Sequence, residues 1–100
     1  MQNIVIGIAW YRESEWKEFR LRMADPEIFD YSYADWIIGA QQSIQEFESQ
    51  GIIVRKIPIP IEEFLSWCKK TRRAPDGPSR AAYVAEKTKE NEDKQDGCRA

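Results

Sequence analysis

The sequence has no histidine, only two cysteines (Cys68 and Cys98), and five glycines that never cluster. Without histidine, the commonest general base and the usual partner of a catalytic Ser or Cys are missing. Two cysteines do not make a disulfide framework, so two free thiols are expected in a reducing compartment. Nor do they reach the four Cys or His ligands of a structural zinc site. With the glycines isolated, no phosphate-cradling loop is visible, and Asp25-Pro-Glu-Ile-Phe-Asp30 lacks the glycine and the later glutamate of a calcium loop. Long apolar runs are also absent: the longest, Ile4 to Tyr11, is far short of the roughly 20 residues of a membrane-spanning helix. Met1-Gln2-Asn3 carries no basic side chain, which argues against a secretory signal. The expectation is a cytoplasmic protein that is not an enzyme, with neither cofactor nor metal.

What is present is 100 residues, 42% hydrophobic and 32% charged, with a formal net charge of -2. That describes one small domain. Apolar periodicity ends at Thr88, so residues 1–88 are read as the domain and 89–100 as a flexible charged tail.

Asn3 to Tyr11 is rich in β-branched and aromatic residues and reads as a strand with two unequal faces. Ile4, Ile6, Ile8 and Trp10 form the bulky face. Val5, Gly7, Ala9 and Tyr11 form the other, where the small pair admits a close approach by another backbone or helix. Ser14 can cap a first helix running to about Ala24, with Trp16, Phe19 and Met23 on one face and Asp25-Pro26 ending it. A second helix has the clearest signature. Ser32-Tyr-Ala-Asp35 resembles a capping box, Tyr33, Trp36, Ile37, Ala40, Ile44 and Phe47 form a stripe, and Gly51 supplies a left-handed stop. Ile52 to Ile57 is a second strand, limited by Pro58. Pro60 opens a third helix carrying Ile61, Phe64, Leu65 and Cys68 on one face, and Asp76-Gly-Pro-Ser79 leads into a fourth.

The order β-α-α-β-α-α defines an α+β fold with a small two-stranded sheet and helices packed on one face. A hairpin of the first two helices gives an antiparallel pair with helices on the bulky face; helices that cross steeply give a parallel one. Two strands alone are marginal in water and leave unpaired edges, so completion by dimerisation is expected. Two arrangements satisfy that need: joined strand edges, or packing of the small face formed by Val5, Gly7 and Ala9.

Several aromatic spacings are distinctive: Trp10-Tyr11-Arg12 closing a strand, Asp25 after a helix, Tyr33-x-x-Trp36, Gly51-x-x-Val54, Phe64-x-x-Trp67-Cys68 and Asp76-x-x-x-Arg80. Together they resemble a group of short bacterial proteins of unknown function, over roughly residues 4 to 86. The resemblance implies a bacterial single-domain protein and transfers no active site.

Charge is uneven along the chain. Residues 1–50 hold 4 basic and 9 acidic side chains, whereas residues 51–80 hold 7 basic and 3 acidic. The excess gathers in Lys69, Lys70, Arg72, Arg73 and Arg80, beside Trp67, which the third helix's stripe leaves at its edge. Trp10, Trp16 and Trp36 are assigned to the core. Cys68 fits a buried helix face and is read as an inert small hydrophobe rather than a nucleophile. The basic segment with Trp67 is read first as a surface for a protein partner and second as a nucleic-acid contact through phosphates and stacking. The leading functional reading is a homodimeric protein-protein interaction module.

Overall fold

The bulky, β-branched start of the chain forms strand β1 (Val5–Trp10), and its counterpart forms β2 (Ile53–Pro58). The computed structural model describes the backbone of residues 4–99 and the side chains of residues 4–91. The strands are parallel, with Gly7 beside Arg55 and Ala9 beside Ile57. Between them run α1 (Trp16–Arg22) and α2 (Tyr33–Ser49), and after them α3 (Ile61–Thr71) and α4 (Gly77–Arg99). The α+β class and the β-α-α-β-α-α order are therefore those expected. Among the described residues no helix is long and apolar enough to cross a membrane.

The parallel arrangement follows from the connection. Asp25-Pro26 stops α1, and Pro26–Phe29 forms a 3-10 turn that buries Phe29. The aromatic cluster of Tyr11, Trp16, Phe19 and Phe29, with ring centroids 4.9 to 5.8 Å apart, pulls this segment inward. The two helices are thus separated by a turn anchored through the buried Phe29, and the chain returns to the start of β1 before β2 begins. Ser14 does not cap α1: it lies within a 3-10 turn, Glu13–Glu15, that precedes the helix. Trp16, Phe19 and Met23 are nonetheless all buried, because the helical spacing survives the change of start.

Local signals at α2 appear as read. The Ser32 hydroxyl accepts a hydrogen bond from the Asp35 amide at 3.0 Å, and Gly51 has φ +83°. At α3 the cap comes from elsewhere in the chain, since the Glu15 carboxylate accepts from the Ile61 amide at 3.3 Å. α3 ends at Arg72, which takes a left-handed conformation with φ 57°. Helical backbone in α4 runs past Thr88 into the segment read as a tail, whose Lys and Glu residues are good helix formers. The side chain of Cys98 lies outside the described residues.

The core sits at the C-terminal ends of the strands: Tyr11, Phe19, Phe29, Ile57, Ile59, Ile61, Phe64, Cys68, Tyr83 and Val84 are buried together. The bulky face of β1 is less covered than its composition suggested, and Ile4 is 61% exposed. Trp16 is buried, but Trp10 and Trp36 are only half-buried and pack on each other with centroids 5.2 Å apart.

The small face receives α4. A Cβ built on Gly7 would overlap the Thr88 hydroxyl and stand 3.0 Å from Val84 and 3.1 Å from Ile57. The expectation that the side chains of Val5, Gly7 and Ala9 present a face to a second copy is therefore corrected: the chain's own fourth helix occupies it. Gly7→Ala is expected to destabilise the folded chain by about 1 to 3 kcal/mol through overpacking. Urea midpoints check this, and an unchanged midpoint would show that Thr88 turns aside without loss.

Candidate functional site

In a parallel pair each residue directs both its amide N–H and its carbonyl to the same side, and successive residues alternate. The Ile53 amide donates to the Ile4 carbonyl at 2.8 Å and the Ile59 amide to the Trp10 carbonyl at 3.4 Å, so the even residues of β1 face β2. Val5, Gly7 and Ala9 consequently direct their peptide groups away from β2. Among the described residues the sheet holds only β1 and β2, and no backbone bond joins those three to another segment. At the end of the strand the Tyr11 carbonyl accepts from the Tyr33 hydroxyl at 2.9 Å, which closes this edge beyond Ala9.

The opposite edge differs in chemistry. On β2 the outward residues are Val54, Lys56 and Pro58. Pro58 has no amide hydrogen to offer, and the Lys56 ammonium lies 4.4 Å from the Trp10 ring centroid. Proline and lysine are common blocks on strand edges. β1, by contrast, carries no charged side chain from Ile4 to Tyr11.

Two grooves converge on the open edge of β1, one from each side. The first, about 590 Å³, lies toward α2 and is lined by Ile8, Trp16, Phe29, Trp36, Gly39 and Ala40 among others. The second, about 820 Å³, lies toward α4 and includes Val5, Gly7, Ala81, Val84 and Ala85. Ile8, Ala9 and Tyr11 line both. A further strand laid along β1 would have a largely apolar surface above and below it, with Asp35 on the α2 side and Thr88 and Lys89 on the α4 side, where Ala81 and Ala85 are exposed.

The basic segment is split by the fold. Lys69, Lys70, Arg72 and Arg73 are exposed at the end of α3, as a solvent-facing cluster requires. Arg80 does not join them. It is 6% exposed, and its guanidinium donates to both oxygens of Asp25 at 2.9 and 2.8 Å while lying 5.1 Å from the Phe29 centroid. Assigning Arg80 to a partner surface is therefore corrected: burial and a bidentate carboxylate leave it none of the accessibility such a contact needs.

The sequence marks Asp25 only as the residue that, with Pro26, stops the first helix. Its hydrogen bonds with Arg80 hold its pKa below the ordinary carboxylate value, despite partial burial. Burial is the largest influence on Arg80 and works against its charge, but the hydrogen bonds and charge interactions with Asp25 and Tyr11 together outweigh it and raise its pKa. Burial pushes the Tyr11 hydroxyl upward, with Arg80 acting in the other direction. The only sequence trace of this pair was the spacing of Asp25 after a helix and Arg80 four residues beyond Asp76.

Trp67 is half-buried, and its indole N–H donates to Glu86 at 2.8 Å while Arg73 lies 5.5 Å from its ring centroid. Neighbours from α3 and α4 thus already engage the ring. Cys68 is 3% exposed, and burial raises its pKa, which disfavours the reactive thiolate.

Compared with known proteins, the chain matches no protein-family model, no curated protein and no solved structure.

Proposed function

We propose that this chain is a cytoplasmic, non-enzymatic interaction module that works as a homodimer joined at the edge of β1. The observation that carries the reading is the row of outward peptide groups at Val5, Gly7 and Ala9, set between two apolar grooves on the one edge that neither proline nor charge protects. Such an edge is a template for strand addition. The other features fit this role. Ile28, which is exposed, and the half-buried Trp36 of α2 add apolar lining to the first groove. Arg80 and Asp25 neutralise each other, which suits a structural role better than an acid-base one. The free, buried Cys68 suits a reducing compartment.

Sedimentation equilibrium at micromolar concentration tests the reading. The expected result is about twice the 11.7 kDa mass of one chain. A single species at the monomer mass throughout would remove it. Salt-dependent titration with DNA or RNA addresses the alternative through Lys69, Lys70, Arg72 and Arg73. Sub-micromolar binding at about 150 mM salt, lost on neutralising those residues, would favour nucleic acid instead.

A further inference from the structure

Resting on that homodimer reading, we infer that β1 pairs antiparallel with β1 of a second copy, Gly7 opposite Gly7 on the two-fold axis. The two sheets then form one of four strands, and α4 of each copy lies beside α4 of the other.

The register follows from which peptide groups are open. In an antiparallel pair, residues that direct their N–H and carbonyl at each other exchange two hydrogen bonds. The open residues are Val5, Gly7 and Ala9, symmetrically spaced about Gly7, and the edge is closed beyond them by the bond from Tyr33 to the Tyr11 carbonyl. With Gly7 opposite Gly7, Val5 faces Ala9 of the second copy and Ala9 faces Val5. Every open donor and acceptor then finds a partner. A shift of two residues toward the strand end would set Val5 against Tyr11, whose carbonyl already accepts a bond.

The faces agree with this occupant. A two-fold axis perpendicular to the sheet keeps like faces together. Ile6 and Ile8 of the second copy would lie toward α2, where the first groove is lined by Ile8, Trp36 and Ala40. Val5, Gly7 and Ala9 of the second copy would lie toward α4, where the second groove is lined by Ala81, Val84 and Ala85. On that side Ala81 and Ala85, one helical turn apart and exposed, let two α4 helices approach closely. A strand laid here meets largely apolar lining on both faces. β1 is apolar from Ile4 to Trp10 and lacks any charge that would repel its copy.

The test is an isotope-filtered NOE measurement on unmodified protein, mixing uniformly labelled and unlabelled chains at a concentration where sedimentation gives the dimer mass. Ile6 and Ile8 of opposite copies form the non-hydrogen-bonded pairs of this register, where Cα atoms approach to about 4.5 Å. The expected result is an intermolecular contact between the Ile6 α-proton and the Ile8 α-proton. A contact of Ile6 with Ile6, or of Ile8 with Ile8, would overturn the register while leaving edge pairing intact. A dimer with no intermolecular contact from β1 would overturn the pairing itself, and a monomer would overturn the homodimer reading on which it rests.

Discussion

Asp25→Ala is expected to lower the stability of the folded chain by about 3 kcal/mol, because it leaves the Arg80 guanidinium buried without its carboxylate. Arg80 has a side chain only 7% exposed, and both of its terminal nitrogens bond to Asp25. The bond also ties the segment after α1 to the first turn of α4, and just before that helix the Ala24 amide donates to the Pro75 carbonyl at 2.8 Å. Removing the charge along with its partner relieves the penalty, so Asp25→Ala combined with Arg80→Met is expected to recover most of the loss. Urea unfolding of the three proteins measures this; a loss under about 1 kcal/mol for the single variant would mean that water reaches Arg80.

The pH dependence has a definite sign. The folded pKa of Asp25 is depressed, so its contribution is fully present above the unfolded value of about 4 and is lost as pH falls through the folded pKa. Stability of the native chain should therefore fall below about pH 4 more steeply than that of Asp25→Ala with Arg80→Met.

Features set by neighbouring residues were legible in the sequence. Ser32 and Gly51 bound α2 because a cap and a left-handed stop act within a few residues. Of the stripe Ile61, Phe64, Leu65 and Cys68, all but the half-buried Leu65 are buried, because helical spacing fixes which side chains share a face. Gly7 shows where such reading stops. Its small face correctly announced a close approach, but a period of two records the size of a face and not what covers it, and the cover is α4 of the same chain. The ion pair joins residues 55 positions apart, and no local pattern relates them. Strand direction was equally hidden, because it depended on Phe29 turning inward between α1 and α2. In the sequence Val5, Gly7 and Ala9 stand out as the less bulky face of the strand. They belong to the candidate site through their backbone, which only the direction of the ladder to β2 could reveal.

Val5→Pro separates the edge of β1 from everything else about the fold. Val5 begins the strand and directs its amide away from β2, so proline there removes no bond to β2, and first-strand positions tolerate it. In the paired strands the same change removes a donor at both ends of the interface and sets a ring where the second copy's backbone must lie. Sedimentation equilibrium of Val5→Pro beside the native chain, with circular dichroism establishing that both are folded, is the direct measurement. The expected result is a folded protein that associates at least about tenfold more weakly than the native dimer, since one or two kcal/mol at the interface suffices for that change. A folded Val5→Pro protein that dimerises as strongly as the native chain would contradict pairing through this edge.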